Sequence, residues 1–256
     1  MADRSGTPVT RGLAKLTLYN LKLYLREPMA AFFTLLYAPM MLLLFGSIYG
    51  NKPSPMFGGR GTVDVSVPAY IALVIVTVGL ISIPIGTASR RETGVLRRFR
   101  ATPLRPVTYL VADVAVYFLV TALGVLLLVA TGKIGFQMKF EGNVISVALG
   151  FILGMSAFTA LGYVVAGLSP SGRSAQAIGM FVAFPFMFLS GATIPLETLP
   201  AGVRSVAQFI PLTHVVTLLR GLWTGGDWGS FGKEIAVLVG VLVVGVAVSA
   251  RTFRWE

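Results

Sequence analysis

The chain of 256 residues contains no cysteine and a single histidine. The first absence excludes disulfides and thiolate metal sites, and the second excludes a multi-histidine metal centre within one chain. Charge is scarce as well. Charged residues make up 12% of the chain and hydrophobic ones 55%, where a globular domain carries roughly 25% charge. Such a chain cannot solvate its own surface, so its solvent is predicted to be a bilayer. Acidic groups are the scarcest, ten against 21 Lys and Arg, for a net charge of +11. That excess does not imply nucleic acid, because the cations fall mostly on one side of the predicted spans and read as a topology signal. A phosphate-binding loop is also missing: Gly132-Lys133 is followed by Ile134 and lacks the leading glycine. ATP is therefore not expected to bind this chain by that route. The first ~28 residues lack the continuous apolar core of a cleavable signal peptide.

Windows of ~20 apolar residues predict six spans, roughly 29–50, 66–89, 106–131, 144–168, 174–195 and 232–250. The predicted fold class is an all-α membrane protein with six transmembrane helices. A tail and amphipathic helix occupy 1–28, and the six-span domain occupies 29–256. With both termini in the cytoplasm, fourteen Lys and Arg lie inside and seven outside, which favours N-in and C-in. Trp223 and Trp228 suit an outer aromatic belt and Trp255 an inner one. Before the first span, Arg11, Lys15, Lys22 and Arg26 fall within an arc of about 60°, with Leu13, Leu16, Leu21, Leu23 and Tyr24 broadly opposite. That division predicts a helix in the membrane interface, touching lipid, or else a solvated helix. Glu27-Pro28 ends it, since the residue before proline disfavours helix. Pro39, Pro84 and Pro185 each delete a backbone hydrogen bond within a span. Gly150 and Gly154 form a GxxxG pair that permits close helix approach.

Two segments stand out between spans. Residues 90–105 hold six arginines against one acid, Glu92, and are predicted to be cytoplasmic. On a helix, Glu92, Val95, Leu96 and Phe99 share a face at i, i+3, i+4, i+7, while Arg90, Arg91, Arg97 and Arg98 share the other. That apolar ridge either meets a soluble partner or packs back on the spans. Residues 196–231 are too apolar for a free loop and too interrupted to span, being cut by Pro200, Pro211 and Gly225-Gly226 directly after Pro195. Two short helices are predicted there, near 198–208 and 211–223, dipping into the outer leaflet or lying on it. Asp113 is a carboxylate shallow in the third span, either functional or paired with the neighbouring arginines. His214 has no nucleophile or orienting acid nearby and reads as structural. Phe181, Phe184 and Phe188 form a stripe at i, i+3, i+7 that lines a substrate pathway or faces lipid.

The run Arg91-Glu92-Thr93-Gly94-Val95-Leu96-Arg97-Arg98-Phe99-Arg100-Ala101-Thr102-Pro103-Leu104 resembles the cytoplasmic loop of type-2 ABC exporter permeases. Ser190-Gly191-Ala192, Ile194-Pro195-Leu196, Leu199-Pro200, Ile210-Pro211-Leu212-Thr213 and Leu219-Arg220-Gly221 are similar to that family's proline-marked segment before the last span. Arg97 departs from the acidic residue that many relatives carry. The resemblance implies a permease half-unit of the plasma membrane. It would pair with a second permease copy and with separate ATPase subunits, which bind ATP and Mg; no cofactor is expected on this chain. Glu92, Val95, Leu96, Arg98, Phe99 and Arg100 would couple it to the ATPase. Pro195, Pro200, Pro211, Thr213 and Arg220 would shape the re-entrant segment. Drug-like or lipid-like export is the leading implication; glycan export or a non-transporting assembly role is the alternative.

Overall fold

The computed structural model describes residues 8–54, 57–94, 106–194, 196 and 199–252, with side chains at 8–15, 29, 30, 106 and 107 left aside. The first helix, α1 (Pro8–Leu25), stops where expected. Glu27 is extended, and Pro28 opens α2 (Pro28–Leu35) at a position that needs no N–H donor. Leu18, Tyr19, Leu23 and Leu25 are exposed, while Tyr24 is buried edge-on against Tyr117 of the helix it packs along.

The first predicted span is two helices, not one. The break falls at Leu36, between α2 and α3 (Tyr37–Tyr49). Pro39 accounts for it: its ring crowds the carbonyl of Leu35, four residues back, and leaves that carbonyl without a donor. Gly50, at φ +67°, then ends α3. A short antiparallel pair, β1 (Pro53–Ser54) with β2 (Arg60–Gly61), leads into the central helix.

That central helix runs from Thr62 to Glu92 as α4 (Thr62–Thr77), a π-helical turn (Val78–Ser82) and α5 (Ile83–Glu92). Its α4 stretch is apolar on all sides and mostly buried, as a helix surrounded by other helices must be. The π turn has a local cause. Pro84 cannot donate to Leu80, and Ile83 reaches back five residues to Val78. Bare backbone also meets neighbours here. A Cβ on Gly162 would lie 2.1 Å from the Gly79 carbonyl, and one on Gly179 would lie 2.1 Å from the Leu80 carbonyl. Between lipid-facing helices, contact of this kind replaces the hydrophobic effect as the packing force.

Around this axis stand α6 (Pro106–Phe136), α7 (Val144–Leu168), α8 (Gly172–Leu189), α9 (Ala201–Ala207), α10 (Pro211–Trp223) and α11 (Gly232–Thr252). Asn143 caps α7 by accepting from Ile145 and Ser146 N–H, and Ser171 caps α8. The chain is multi-pass. Among the described residues, five helices are long and apolar enough to cross a membrane, or six if α9 and α10, bent by 91°, count as one. Both short helices predicted within 196–231 exist. α10 is buried among α4, α7 and α11. Gly150 and Gly154 make that possible: a Cβ on either would press on Leu222 or Val215. The GxxxG pair thus receives an element of its own chain. Trp223 does not join a surface belt; it is buried edge-on against Phe140, 4.7 Å between ring centres.

Candidate functional site

The last turn of α5 carries three ionic residues, each directed to a different element. Arg90 Nη2 donates to Asp113 Oδ2 of α6 at 2.8 Å. Arg91 donates to the Ser169 carbonyl at the end of α7. Glu92 Oε2 accepts from Gly172 N–H at the start of α8, at 3.0 Å, where the helix dipole favours an anion. Ser89 packs so closely there that a Cβ on Gly172 would collide with its hydroxyl. The predicted helical face from Glu92 to Phe99 therefore needs correction at its beginning. α5 ends at Glu92, and Gly94 adopts φ +69° with its N–H returned to the Arg91 carbonyl. This is a glycine stop, one residue past the cap. Val95, Leu96, Arg98, Phe99 and Arg100 lie outside the described residues.

Asp113 is paired as the neighbouring arginines suggested, and with more than one partner. Tyr163 of α7 donates to the same oxygen at 3.3 Å, Arg90 also reaches the Tyr117 hydroxyl at 3.5 Å, and its guanidinium lies 5.9 Å from the centre of the Tyr109 ring. Asp113 is buried, and so are Tyr109, Tyr117 and Tyr163. Isolated, such a carboxylate would be prohibitive in an apolar setting; paired and hydrogen-bonded, it is tolerable. Tyr109 and Tyr117 flank Asp113 at four residues on either side, which places all three on one face of α6. That spacing was a readable signal, and sequence reasoning passed over it.

Above this cluster opens a cleft of about 570 Å³ between the α1–α2 junction, the π turn and α8. Its walls are mainly aromatic and thioether: Tyr24, Phe33, Tyr37, Met180, Phe184 and Met187. Polar groups are few: Arg26 and Glu27 at the junction, with Thr77, Ser82, Tyr117 and Gln176. Of the predicted stripe, Phe184 lines the cleft and Phe181 and Phe188 do not. All three are exposed, Phe181 most of all at 81%.

At the far end, α10 is held by backbone carbonyls. Thr213 Oγ1 donates to Ala207 at 2.7 Å, His214 Nε2 to Gln208 at 2.9 Å and Arg220 Nη2 to Gly191 at 2.9 Å. Since a carbonyl only accepts, His214 carries its proton on Nε2. Thr213 and His214 thus lock the bend between α9 and α10, and Arg220 ties α10 to the turn that follows α8. Pro200 caps α9 and Pro211 opens α10, while Pro195 lies outside the described residues.

An ionic stem paired with the buried Asp113, beside an apolar cleft, suits a membrane-spanning protein. Comparison with known proteins agrees: the ABC-2 family transporter protein family matches residues 51–251. The chain belongs to that family. "Nodulation protein J" of Rhizobium leguminosarum bv. viciae is 36% identical over 98 residues, 38% of this chain and 38% of that protein. "Putative transport permease ycf38" of Porphyra purpurea is 23% identical, over 84% of this chain and 74% of that protein. "Probable multidrug ABC transporter permease YbhS" of Escherichia coli (strain K12) is 21% identical, over 63% of this chain and 43% of that protein. The chain thus matches less than half the length of the first and third of these relatives. The ABC-2 match takes in the stem, the cluster, α8 and the α9–α10 pair. It begins after α3, so one wall of the cleft lies before it.

Proposed function

We propose that this ABC-2 permease is the transmembrane subunit of an ATP-driven exporter of hydrophobic or amphipathic molecules, drug-like or lipid-like. It pairs with a second permease copy and with two separate ATPase subunits, which carry ATP and Mg. It resides in a prokaryotic plasma membrane with both termini in the cytoplasm. The 90–105 segment, including Val95, Leu96, Arg98, Phe99 and Arg100, meets the ATPase. The observation that carries the reading is the cleft: adaptable aromatic and methionine walls with a handful of polar groups suit an amphipathic cargo. The relative named as a multidrug permease points the same way. Phe184 works from within the cleft, while Phe181 and Phe188 face the second copy or lipid.

The test is ATP-dependent transport of an amphipathic dye into inverted vesicles holding the permease with its ATPase subunits. Phe184→Ala is expected to shift the half-maximal dye concentration by about tenfold, the worth of a lost buried aromatic contact. Phe181→Ala is expected to leave that concentration unchanged. Equal behaviour of the two variants, or dye movement that ignores ATP, would overturn the reading. Orientation is checked with single cysteines on the cysteine-free chain. Ser54→Cys and Ser230→Cys are expected to react with an impermeant thiol reagent in intact cells, and Arg173→Cys is not. Gly142 and Gly226 are poor reporters, because a Cβ on either would collide with backbone carbonyls, those of Leu222 and Gly221.

A further inference from the structure

Tyr117 belongs to two sites at once. Its hydroxyl lies within reach of Arg90 in the ionic cluster, and its side chain also lines the cleft. From the same hydroxyl a hydrogen bond of 3.4 Å goes to the carbonyl of Ser82, the last residue of the π turn and another cleft residue. On its other side the Tyr117 ring meets Tyr24 edge-on at 5.7 Å. The Tyr24 hydroxyl in turn bonds Thr34 of α2 at 2.6 Å. Tyr117 therefore touches both walls of the cleft and the group that anchors α5. Room for this is specific: a Cβ on Gly86 would lie 2.6 Å from the Tyr117 oxygen, so any larger residue there would push the phenol away.

We propose that Arg90 and Tyr117 are positioning residues that make the cleft walls follow movement of the Glu92 end of the central helix. The inference rests on the transport reading above. The chain of contact runs from Arg91 and Glu92, tied to the α7–α8 turn, through Arg90, braced on Asp113, to the Tyr117 hydroxyl, and from Tyr117 to Ser82 and Tyr24. The π turn supplies the place where the central helix already departs from the α register, as a transmission element would use. A π turn and an α turn differ by one hydrogen-bond register, and Ile83 N–H already reaches past Gly79 to Val78 here. The Ser82 carbonyl stands at that step, and the Tyr117 hydroxyl holds it. A push on α5 that shifts Arg90 thus changes the grip on the turn that forms the cleft wall.

The experiment uses the whole permease with its ATPase subunits in phosphatidylethanolamine–phosphatidylglycerol nanodiscs. A bimane label on Gln176→Cys, attached before the ATPase subunits are added, reports the cleft. The parent is expected to change its emission on addition of ATP and vanadate. Tyr117→Phe keeps the ring and removes only the hydroxyl. It is expected to cut that change about fivefold, the equivalent of one lost hydrogen bond, with thermal midpoint and ATPase assembly as in the parent. Arg90→Lys keeps the positive charge facing Asp113 but loses the fork that also reaches Tyr117, and is expected to fall between the two. The full parental response in Tyr117→Phe would overturn the proposal. So would a loss of response matched by an equal loss of thermal midpoint, which marks ordinary packing. A parent whose label ignores ATP would overturn the transport reading itself, and the link with it.

Discussion

The two ends of the central helix each hold a carboxylate away from water, by opposite means. At the Thr62 end, Asp64 is gripped by short, fixed groups. It accepts from the Asn51 amide at 2.9 Å, from Lys139 N–H at 2.9 Å and from Gly61 N–H at 3.3 Å. Two of those three donors are backbone. Asn51 completes the knot by accepting from Val63 N–H at 3.0 Å. At the Glu92 end, Asp113 is held by side chains, the long arm of Arg90 and the phenol of Tyr163. Backbone donors leave a carboxylate nowhere to go; side-chain arms can follow a moving helix. The difference teaches where this molecule is a rivet and where it is a joint, and the joint lies beside the arginine-rich segment.

The largest expected effect comes from breaking the joint. Asp113→Asn leaves the Arg90 guanidinium without its counter-charge in a mostly apolar setting. We expect a loss of ~3 kcal/mol in stability, at the low end for a severed buried ion pair because the Arg90 side chain is a quarter exposed. Thermal unfolding of the purified permease in detergent measures it. A variant as stable as the parent would show that the cluster is solvated, and the contrast between the two ends would collapse.

Much of this arrangement was legible in the sequence, for reasons particular residues make plain. Span positions follow from long apolar runs, because a bilayer tolerates little else, and α6, α7 and α11 appear close to their predicted places. The α9–α10 pair was legible from Pro200 and Pro211, which fix where a helix must start again. The first span failed as a continuous helix because Pro39 acts through a carbonyl four residues back, so a hydropathy window that covers both sees no interruption. The helix that carries Glu92 ends sooner than the sequence reading drew it, for a related reason. Helical periodicity was carried across Gly94, whose left-handed backbone ends α5. The cleft was not legible at all. It is assembled from four stretches of sequence, and no local pattern announces that Tyr24, Ser82, Tyr117 and Gln176 will meet.

Loosening the rivet is expected to cost less than breaking the joint. Asn51→Ala removes the amide donor to Asp64 and to the Phe136 carbonyl, and the acceptor for Val63 and Asp64 N–H, yet the carboxylate keeps its two backbone partners. A loss of ~1–2 kcal/mol is expected, for two short hydrogen bonds and two long ones, partly replaced by water. It should appear in the same unfolding measurement, while ATP-driven transport per folded complex stays at the parental rate. An Asn51→Ala complex that folds normally yet transports poorly would mean that the Thr62 end also moves, and the division into rivet and joint would be wrong.

The smallest effect sharpens the comparison at the joint itself. Glu92 is exposed, and among the described residues it is tied to the first N–H of α8. Glu92→Gln keeps a hydrogen-bond acceptor of similar reach and removes only the charge that favours the helix N-terminus. Such an interaction at a surface is worth ~0.5 kcal/mol and weakens with salt. The expected signature is therefore a small drop in thermal midpoint at low ionic strength that fades as salt is added. Asp64, sealed among short donors, should show no comparable salt dependence when changed to Asn. If Glu92→Gln loses transport with its midpoint unchanged at every salt concentration, Glu92 does more than hold α8. Its carboxylate would then face the ATPase, as the sequence first suggested, and the tie to Gly172 would be one of two positions between which it moves.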